Sequence, residues 1–496
     1  MHLYFTMTKS NQYCLDILSL GVPRNKATVN VVMSLASQPA ASVTELSLNP
    51  IFLYQYSSIT DSVSHLSHWE SLPGSTGADI RRICLGYFEP QGETYLLQTD
   101  KTPVRKPHSP TLEERTAVSV PNQAIPGNKP LDIGYEYSFV NLHDPAGRWS
   151  LPLSAERIPL DKKPGEVAAG QVQQLWQEED LPFAKATVVV NDLDSGYASP
   201  AYLDPVKHLE NLVSIVRIRK GTKVWVPAGT GSHSKKIFGE KYYLLPRSQT
   251  TLFHNKPKSG GDYEVFQRAI TEKEPDDEQC FEASLRNGRA IQVHLRRWND
   301  LIWRTKDSCY MADKPFDILC VEVTGPATGR LLFKDPMFLG SFGPQRKKLS
   351  CRDIYTNYVE RYGIEPFFRF SKQNMFMQGF QTPLQKHLDN WMLIIIMSVW
   401  LLFTARNDVK NLPKKWQGYL PIEKVKPGQV LSMAQTYKSV LPLLLTFDSL
   451  PFLPQKSKPG PGRQKGMSQT PRKKYPYVKK QTKTPPKNRS PVVQTA

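Results

Sequence analysis

The stretch Ala186-Thr-Val-Val-Val-Asn-Asp-Leu-Asp-Ser-Gly-Tyr197 decides how this chain is read. Its run Ala186–Asn191 is continuously apolar and β-branched, the pattern of a central strand buried on both faces of a sheet. It leads straight into two carboxylates, Asp192 and Asp194. Either acid suits a site at a strand end, and alternation of side chains cannot choose between them once a turn begins. Upstream, Thr94-Tyr-Leu-Leu-Gln-Thr99 reads as a strand closed by Asp100, followed by a polar, Pro-rich loop from Lys101 to Leu131. Two more strands are expected at Tyr135–Leu142 and Trp149–Leu153. A helix is expected over Gly165–Glu179, where Val167, Ala168, Val172, Leu175 and Trp176 recur at helical spacing. Downstream come a helix from Ser199 and a strand, Leu212–Arg219.

Strand-strand-strand-helix-strand-helix-strand is the order of an RNase H-like fold. The expected class is therefore α/β: an RNase H-like mixed sheet with a β-rich insertion, a helical N-terminal region and a disordered basic C-terminal tail. The expected boundaries are 1–90 for the helical front, which suits recognition of a DNA end or a packing arm, and 91–219 for the first part of the core. The β-rich insertion follows over 220–345, core helices over 346–410, a helical extension over 411–454 and the tail over 455–496. Ser42-Val-Thr-Glu45 has the spacing of a capping box. Trp391–Ala405 is an apolar run of 15 residues, short of the ~20 that span a bilayer, and reads as a core helix.

The chain has 496 residues, 64 of them Lys or Arg against 45 Asp or Glu, a net charge of +19. The segment from Gln455 to Ala496 alone carries 12 cations and no acid. A basic body with a more basic tail points to a polyanion, most simply nucleic acid. The six cysteines (Cys14, Cys84, Cys280, Cys309, Cys320, Cys351) include no C-x-x-C pair, which speaks against a zinc knuckle or disulfide framework and suits a reducing cytoplasm. No signal-peptide pattern opens the chain. The expectation is a soluble, cytoplasmic, nucleoid-associated prokaryotic protein with no membrane partner.

A second motif carries the chemistry. Tyr358-Val-Glu-Arg361-Tyr-Gly-Ile-Glu365-Pro-Phe-Phe-Arg-Phe-Ser-Lys372 has the spacing Y-x2-R-x3-E-x6-K. Chance alone would produce this pattern in a chain of this length with a probability of roughly a few in a thousand. On a helix the four side chains would lie near one face, a carboxylate flanked by two cations and a phenol. Pro366, directly after Glu365, disfavours helix at the preceding residue and is expected either to start the helix at Pro366, with Glu365 at the cap, or to break it there.

The motif resembles the signature of insertion-sequence transposases of the DDE type. The resemblance continues through Phe380-Gln-Thr-Pro383, Asp389-Asn-Trp391 and Trp416-Gln-Gly-Tyr-Leu-Pro421, covering about 90–450. It implies a metal-dependent DNA endonuclease and strand transferase that cleaves at transposon ends and joins them to target DNA. Asp194, in Asp-Ser-Gly-Tyr197, matches the second acid of that class, leaving Asp192 as a turn residue. Asp100 would be the first acid and Glu365 the third, together holding two Mg²⁺, with Mn²⁺ as a substitute. Tyr358, Arg361 and Lys372 would hold phosphates. The implied partners are double-stranded DNA, both terminal inverted repeats and target, and a second copy of the chain in the synaptic complex. A catalytically inactive, transposase-derived DNA-binding protein is the alternative. Lys106, Arg217, Arg219 and Lys220 are further phosphate contacts or solvated cations. Trp298 and Trp303 read as packing rather than base-stacking residues, and His143 as a strand-face residue. Asp335, before Pro336, reads as a strand-end turn residue.

Overall fold

A computed structural model describes residues 8–20, 24–66, 76–90, 92–120, 131–146, 149–228, 237–246, 251–255, 263–285, 288–304, 314–326, 329–333, 335–410, 430–447, 466–468 and 471–478. Five helices open the chain: α1 (Lys9–Ser19), α2 (Asn25–Ser37), α3 (Val43–Ser47), α4 (Ser57–Leu66) and α5 (Thr76–Gly86). Strands β1 (Thr94–Arg105), β2 (Thr116–Ser119), β3 (Leu131–Asp144) and β4 (Trp149–Arg157) follow. Next come α6 (Pro164–Gln177), β5 (Val188–Leu193), α7 (Pro200–Val206) and β6 (Leu212–Ile218). The β-rich stretch contains β7 (Lys223–Pro227), β8 (Phe238–Tyr243), β9 (Thr251–Asn255), β10 (Tyr263–Gln267), β11 (Asp277–Ser284), β12 (Ala290–Leu301), β13 (Phe316–Thr324) and β14 (Met337–Phe342). The chain then forms α8 (Cys351–Glu360), α9 (Ile364–Asn374), α10 (Gln385–Lys410), α11 (Met433–Tyr437) and α12 (Leu441–Phe447).

Ten strands form one mixed sheet in the order β11-β12-β13-β14-β6-β5-β1-β3-β2, with β4 also paired to β3. Around its centre, β3 is antiparallel to both β4 and β1, while β1, β5 and β6 run parallel. Strands β11–β14 do not make a separate layer. They continue the same sheet through an antiparallel β14–β6 pairing, so the β-rich stretch widens the core sheet, and β7–β8 and β9–β10 are small two-stranded ribbons beside it.

Three strand boundaries differ from expectation. β1 does not stop at Asp100 but runs on to Arg105, paired with β3 throughout this extension, and β2 occupies part of the expected loop. Beyond Thr99 the strand has lost β5 as a neighbour, and Pro103 is tolerated on such an open edge. β5 begins at Val188 and ends at Leu193, so Asp192 is a buried strand residue, not part of a turn.

Alternation assigns the sheet's faces. Val188 and Val190 on β5 and Val213 and Ile215 on β6 share an apolar cluster with Cys351, Ile354 and Tyr358 of α8. Val189, Leu193 and Leu97 point the other way, into the cluster that includes Val172 and Leu175 of α6. The apolar run 391–405 lies within α10, a helix of 26 residues, longer than the run itself. Its span Gln385–Val409 is long and apolar enough to cross a membrane, yet 89% of its most apolar window is buried inside the protein. The N-terminal helices α1, α2, α4 and α5 pack against α10, and α2 is buried almost all round. Ser42 caps α3 by accepting from Glu45 N, but the Glu45 carboxylate accepts from Ala41 N, one residue before the box pattern. Trp298 and Trp303 are core residues: Trp298 donates to the Lys273 carbonyl at 3.0 Å, and Trp303 packs on Phe316 and Phe342.

β14 is joined to α8 through Gly343, whose φ of +118° and close approach to the Leu212 carbonyl leave no room for a side chain. The 3-10 turn Pro344–Lys348 that follows is locked to the widened sheet by buried charge. Asp317 on β13 accepts from Arg297 at 2.5 Å and from Arg346 at 3.1 Å, and Arg297 also donates to the Leu349 carbonyl at 2.7 Å.

The tail departs from its expected disorder over one segment. Residues 471–478 lie against β2, while most of 455–496, and the motif at Trp416, fall outside the described residues.

Candidate functional site

The last parallel pairing between β1, β5 and β6 joins Thr99, Leu193 and Val216. One residue further on, Asp100, Asp194 and Arg217 therefore come side by side in a single row, on the sheet face covered by α8. Asp194 has extended backbone and heads the 3-10 turn Ser195–Tyr197, which carries the chain off the sheet. Asp100 is still in strand, opposite Phe139 of β3. Two acids on neighbouring strands in one row is the convergence that a phosphoryl-transfer site needs.

The four residues of the signature do not share one helix. Tyr358 lies in the last turn of α8, Arg361 opens the 3-10 turn Arg361–Gly363, and Glu365 and Lys372 belong to α9. Helix α9 begins at Ile364, not at Pro366. Glu365 and Pro366 occupy its first turn, where a missing N–H costs nothing because those donors have no intrahelical partner. Glu365 is exposed and half-exposed Asp194 faces the same opening, whereas Tyr358 is fully buried.

Arg361 connects the helices to the strands. Its Nη1 donates to Asp100 Oδ2 at 3.2 Å, and its guanidinium lies 5.5 Å from the Tyr358 ring centre and 5.0 Å from that of Tyr362. Among the described residues the phenol of Tyr358 has no hydrogen-bond partner; its ring supports the guanidinium plane, and burial pushes its pKa up. Lys372 lies beside Arg105, and burial together with that neighbouring charge lowers its ammonium to about 8.

Asp100 registers the other acids. Burial raises its carboxyl to about 6; Arg361 opposes the rise, while the negative charges of Asp194 and Glu365 add to it. Thus Asp100 stands within reach of the charges of Asp194 and Glu365, with the buried Arg361 beside it. Among the described residues no three His, Cys, Asp or Glu groups already converge as a ready-made ion cage. Mg²⁺ rarely requires one, since it keeps waters and takes one or two carboxylates alongside substrate phosphates. Hard oxygen donors with a shortfall of positive charge fit such an ion.

Beneath the row lies a polar layer that the sequence did not announce. Gln98, two residues before Asp100, donates to the Glu360 carbonyl at 2.6 Å and accepts from Ser150 at 2.6 Å. Gly363 passes so close to Gln98 that a Cβ there would sit 3.1 Å from Nε2. His143 on β3 is buried, 3.3 Å from Gln98 and 3.8 Å from the Glu360 carboxylate. Asp192 lies in the same layer, fully buried, with neither oxygen hydrogen-bonded among the described residues, and burial raises its pKa well above the carboxylate range. The available signal was a polar residue at alternate positions of each strand, Gln98 before Asp100 and Asp192 before Asp194.

Other candidate cations fare differently. Lys106 is buried and donates to the carbonyls of Gln378 and Phe380, both at 2.6 Å, which ties the end of β1 to the segment after α9 and leaves it unable to reach a phosphate. Lys220 pairs with Asp335 at 2.7 Å, which also accounts for that acid. Arg217 and Arg219 are exposed. Burial lowers the Lys106 ammonium from 10.5 to about 8. Between these values the unfolded chain holds the proton and the folded chain releases it, so this group makes folding more favourable as pH rises through that window. Denaturation midpoints at pH 7.5 and 9.5 are expected to show a smaller gain with pH in Lys106→Met than in the unsubstituted chain; equal gains would refute the assignment.

No family model matches the chain, and none of the curated proteins matches it.

Proposed function

We propose that the protein is a DDE-type transposase of an insertion sequence, built on an RNase H-like sheet. The observation that carries the reading is the row in which Asp100 and Asp194 stand side by side, with Glu365 close enough to raise the Asp100 pKa. The strand order β4-β3-β1-β5-β6, antiparallel on one side of β1 and parallel on the other, supports the same fold family. A net charge of +19 supports DNA as substrate.

In this reading Asp100, Asp194 and Glu365 hold divalent cations, Mg²⁺ or Mn²⁺, which when bound activate the attacking oxygen and offset charge on phosphorus. Arg361 fixes the Asp100 carboxylate from behind, and its own plane is set by the rings of Tyr358 and Tyr362. Arg217, exposed at the end of the row, and Lys372, beside Arg105, supply positive charge for DNA phosphates on either side. The polar layer of Gln98, Ser150 and Glu360 keeps β1 and the 3-10 turn in one register.

The second reading, a DNA-binding protein descended from such an enzyme, draws on one observation. Arg361 already neutralises Asp100, and among the described residues no group of three ligands has converged. Labelled duplex carrying the inverted repeats that flank the gene distinguishes the two. The enzyme nicks at the repeat boundary with Mg²⁺ and not with EDTA; binding without any nick favours the second reading.

A further inference from the structure

The C-terminal segment Pro471–Val478 runs along residues 110–116 and meets the outer edge of β2 at its first residue, Thr116. Tyr475 N donates to the Pro110 carbonyl at 2.8 Å and Val478 N to the Arg115 carbonyl at 2.6 Å, and Val478 forms a parallel bridge with Thr116. Arg115 returns a bond from Nη2 to the Tyr475 carbonyl at 2.9 Å. It is a fixed post, 5% exposed, with its other donors on the carbonyls of Leu112, Lys106 and Pro107. Main-chain pairing of this kind is strand addition at a sheet edge, in which backbone bonds supply the affinity and side chains remain free for other work.

Here the free side chains are cations. Arg472, Lys473 and Lys474 are exposed, and none is paired with an acid among the described residues. Lys473 rests 5.0 Å above the Tyr475 ring, which is itself held through its backbone. The bridge lies in the same cross-strand row as Arg105, since Thr116 pairs with Gly134 and Gly134 with Arg105. Ordinary strand rise and spacing put that point roughly 20 Å from Asp100. That distance is about six base-pair steps of a duplex. Arg105, in that row, lies beside Lys372 of α9.

We propose that this segment is a docked arm: pairing with β2 holds Arg472, Lys473 and Lys474 as a second contact for the phosphate backbone of a duplex whose scissile end lies at Asp100. The proposal rests on the reading of the chain as a DNA-cleaving enzyme. A free polycationic tail would bind DNA through its charge alone, whereas a docked arm also depends on two backbone hydrogen bonds.

Two variants of the full chain separate these terms. Val478→Pro removes the N–H donated to Arg115 and leaves charge unchanged, at a residue 41% exposed, so the body of the protein is untouched. The triple variant Arg472→Ala, Lys473→Ala, Lys474→Ala removes charge and keeps the pairing. The probe is a random-sequence duplex of about 30 base pairs, with Kd measured across a KCl series. The triple variant is expected to lower the slope of log affinity against log salt by about two to three. Val478→Pro is expected to weaken binding about tenfold through loss of preorganisation. In the unsubstituted chain the Tyr475 and Val478 amides exchange slowly with solvent; in Val478→Pro the Tyr475 amide exchanges freely. Unchanged affinity in Val478→Pro overturns the arm even if the chain nicks end DNA. Free exchange of both amides in the unsubstituted chain does the same. An unsubstituted chain with protected amides that binds no duplex at any salt overturns the arm's ligand and the DNA reading together.

Discussion

Glu365→Gln is expected to slow Mg²⁺-dependent nicking of end DNA by at least about a thousandfold, with Kd for the same DNA within about threefold of the unsubstituted value. The substitution is close to isosteric and removes one negative charge and one hard oxygen donor. Glu365 is exposed in the first turn of α9, so the fold does not depend on it. The only structural loss is a favourable charge at a helix start, about 0.3–1 kcal/mol. That separation makes the variant informative, because a drop in nicking cannot be ascribed to unfolding. Asp100→Asn is a poorer choice, since it also strips Arg361 of its partner. Single-turnover nicking and a melting curve on the same preparation provide the check. Nicking at the unsubstituted rate would sink the assignment of the third acid.

Asp317→Ala is expected to destabilise the protein by about 3–5 kcal/mol, the cost of leaving the buried Arg297 without its counter-ion, while Arg346 keeps Asp300. Asp317 is 1% exposed as a side chain and serves two arginines, Arg297 and Arg346, whose side chains are 6% and 11% exposed. It also accepts from Asp300 N at 3.0 Å. Without it, Arg297 keeps the carbonyls of Leu349 and Arg346 and the Cys351 thiol, none of them an anion, and the turn before α8 loses its ion pairs to β13. Chemical denaturation measures the loss. Because α8 carries Tyr358 and leads into Arg361, nicking should fall further than DNA affinity in the same variant. A change under about 1 kcal/mol would mean that the network relaxes around the gap.

Much of the sheet was legible because burial leaves a strong mark on composition. Val188-Val-Val190 announced a central strand, and the stretch 220–345 read as β-rich. Ends were less legible. Asp100 looked terminal because Pro103 follows it, and only the loss of β5 as a neighbour explains why the strand continues. Pro366 misled in the same way: the penalty it imposes on a helix interior vanishes in a first turn.

By itself, the sequence determined the candidate acids, the basic character of the chain and the type of most elements, because these depend on residue chemistry and local periodicity. Only the tertiary structure decided which acids meet. Register between β1 and β5 put Asp194 beside Asp100 and drove Asp192, two residues back, into a buried layer. The 3-10 turn between α8 and α9 divided an apparent single helix, with Arg361 at the joint holding Asp100. Edge pairing took a Lys-rich segment with almost nothing to bury and gave part of it a fixed place. In each case the outcome depends on hydrogen bonds between residues far apart in the chain, and local periodicity carries no record of such partners.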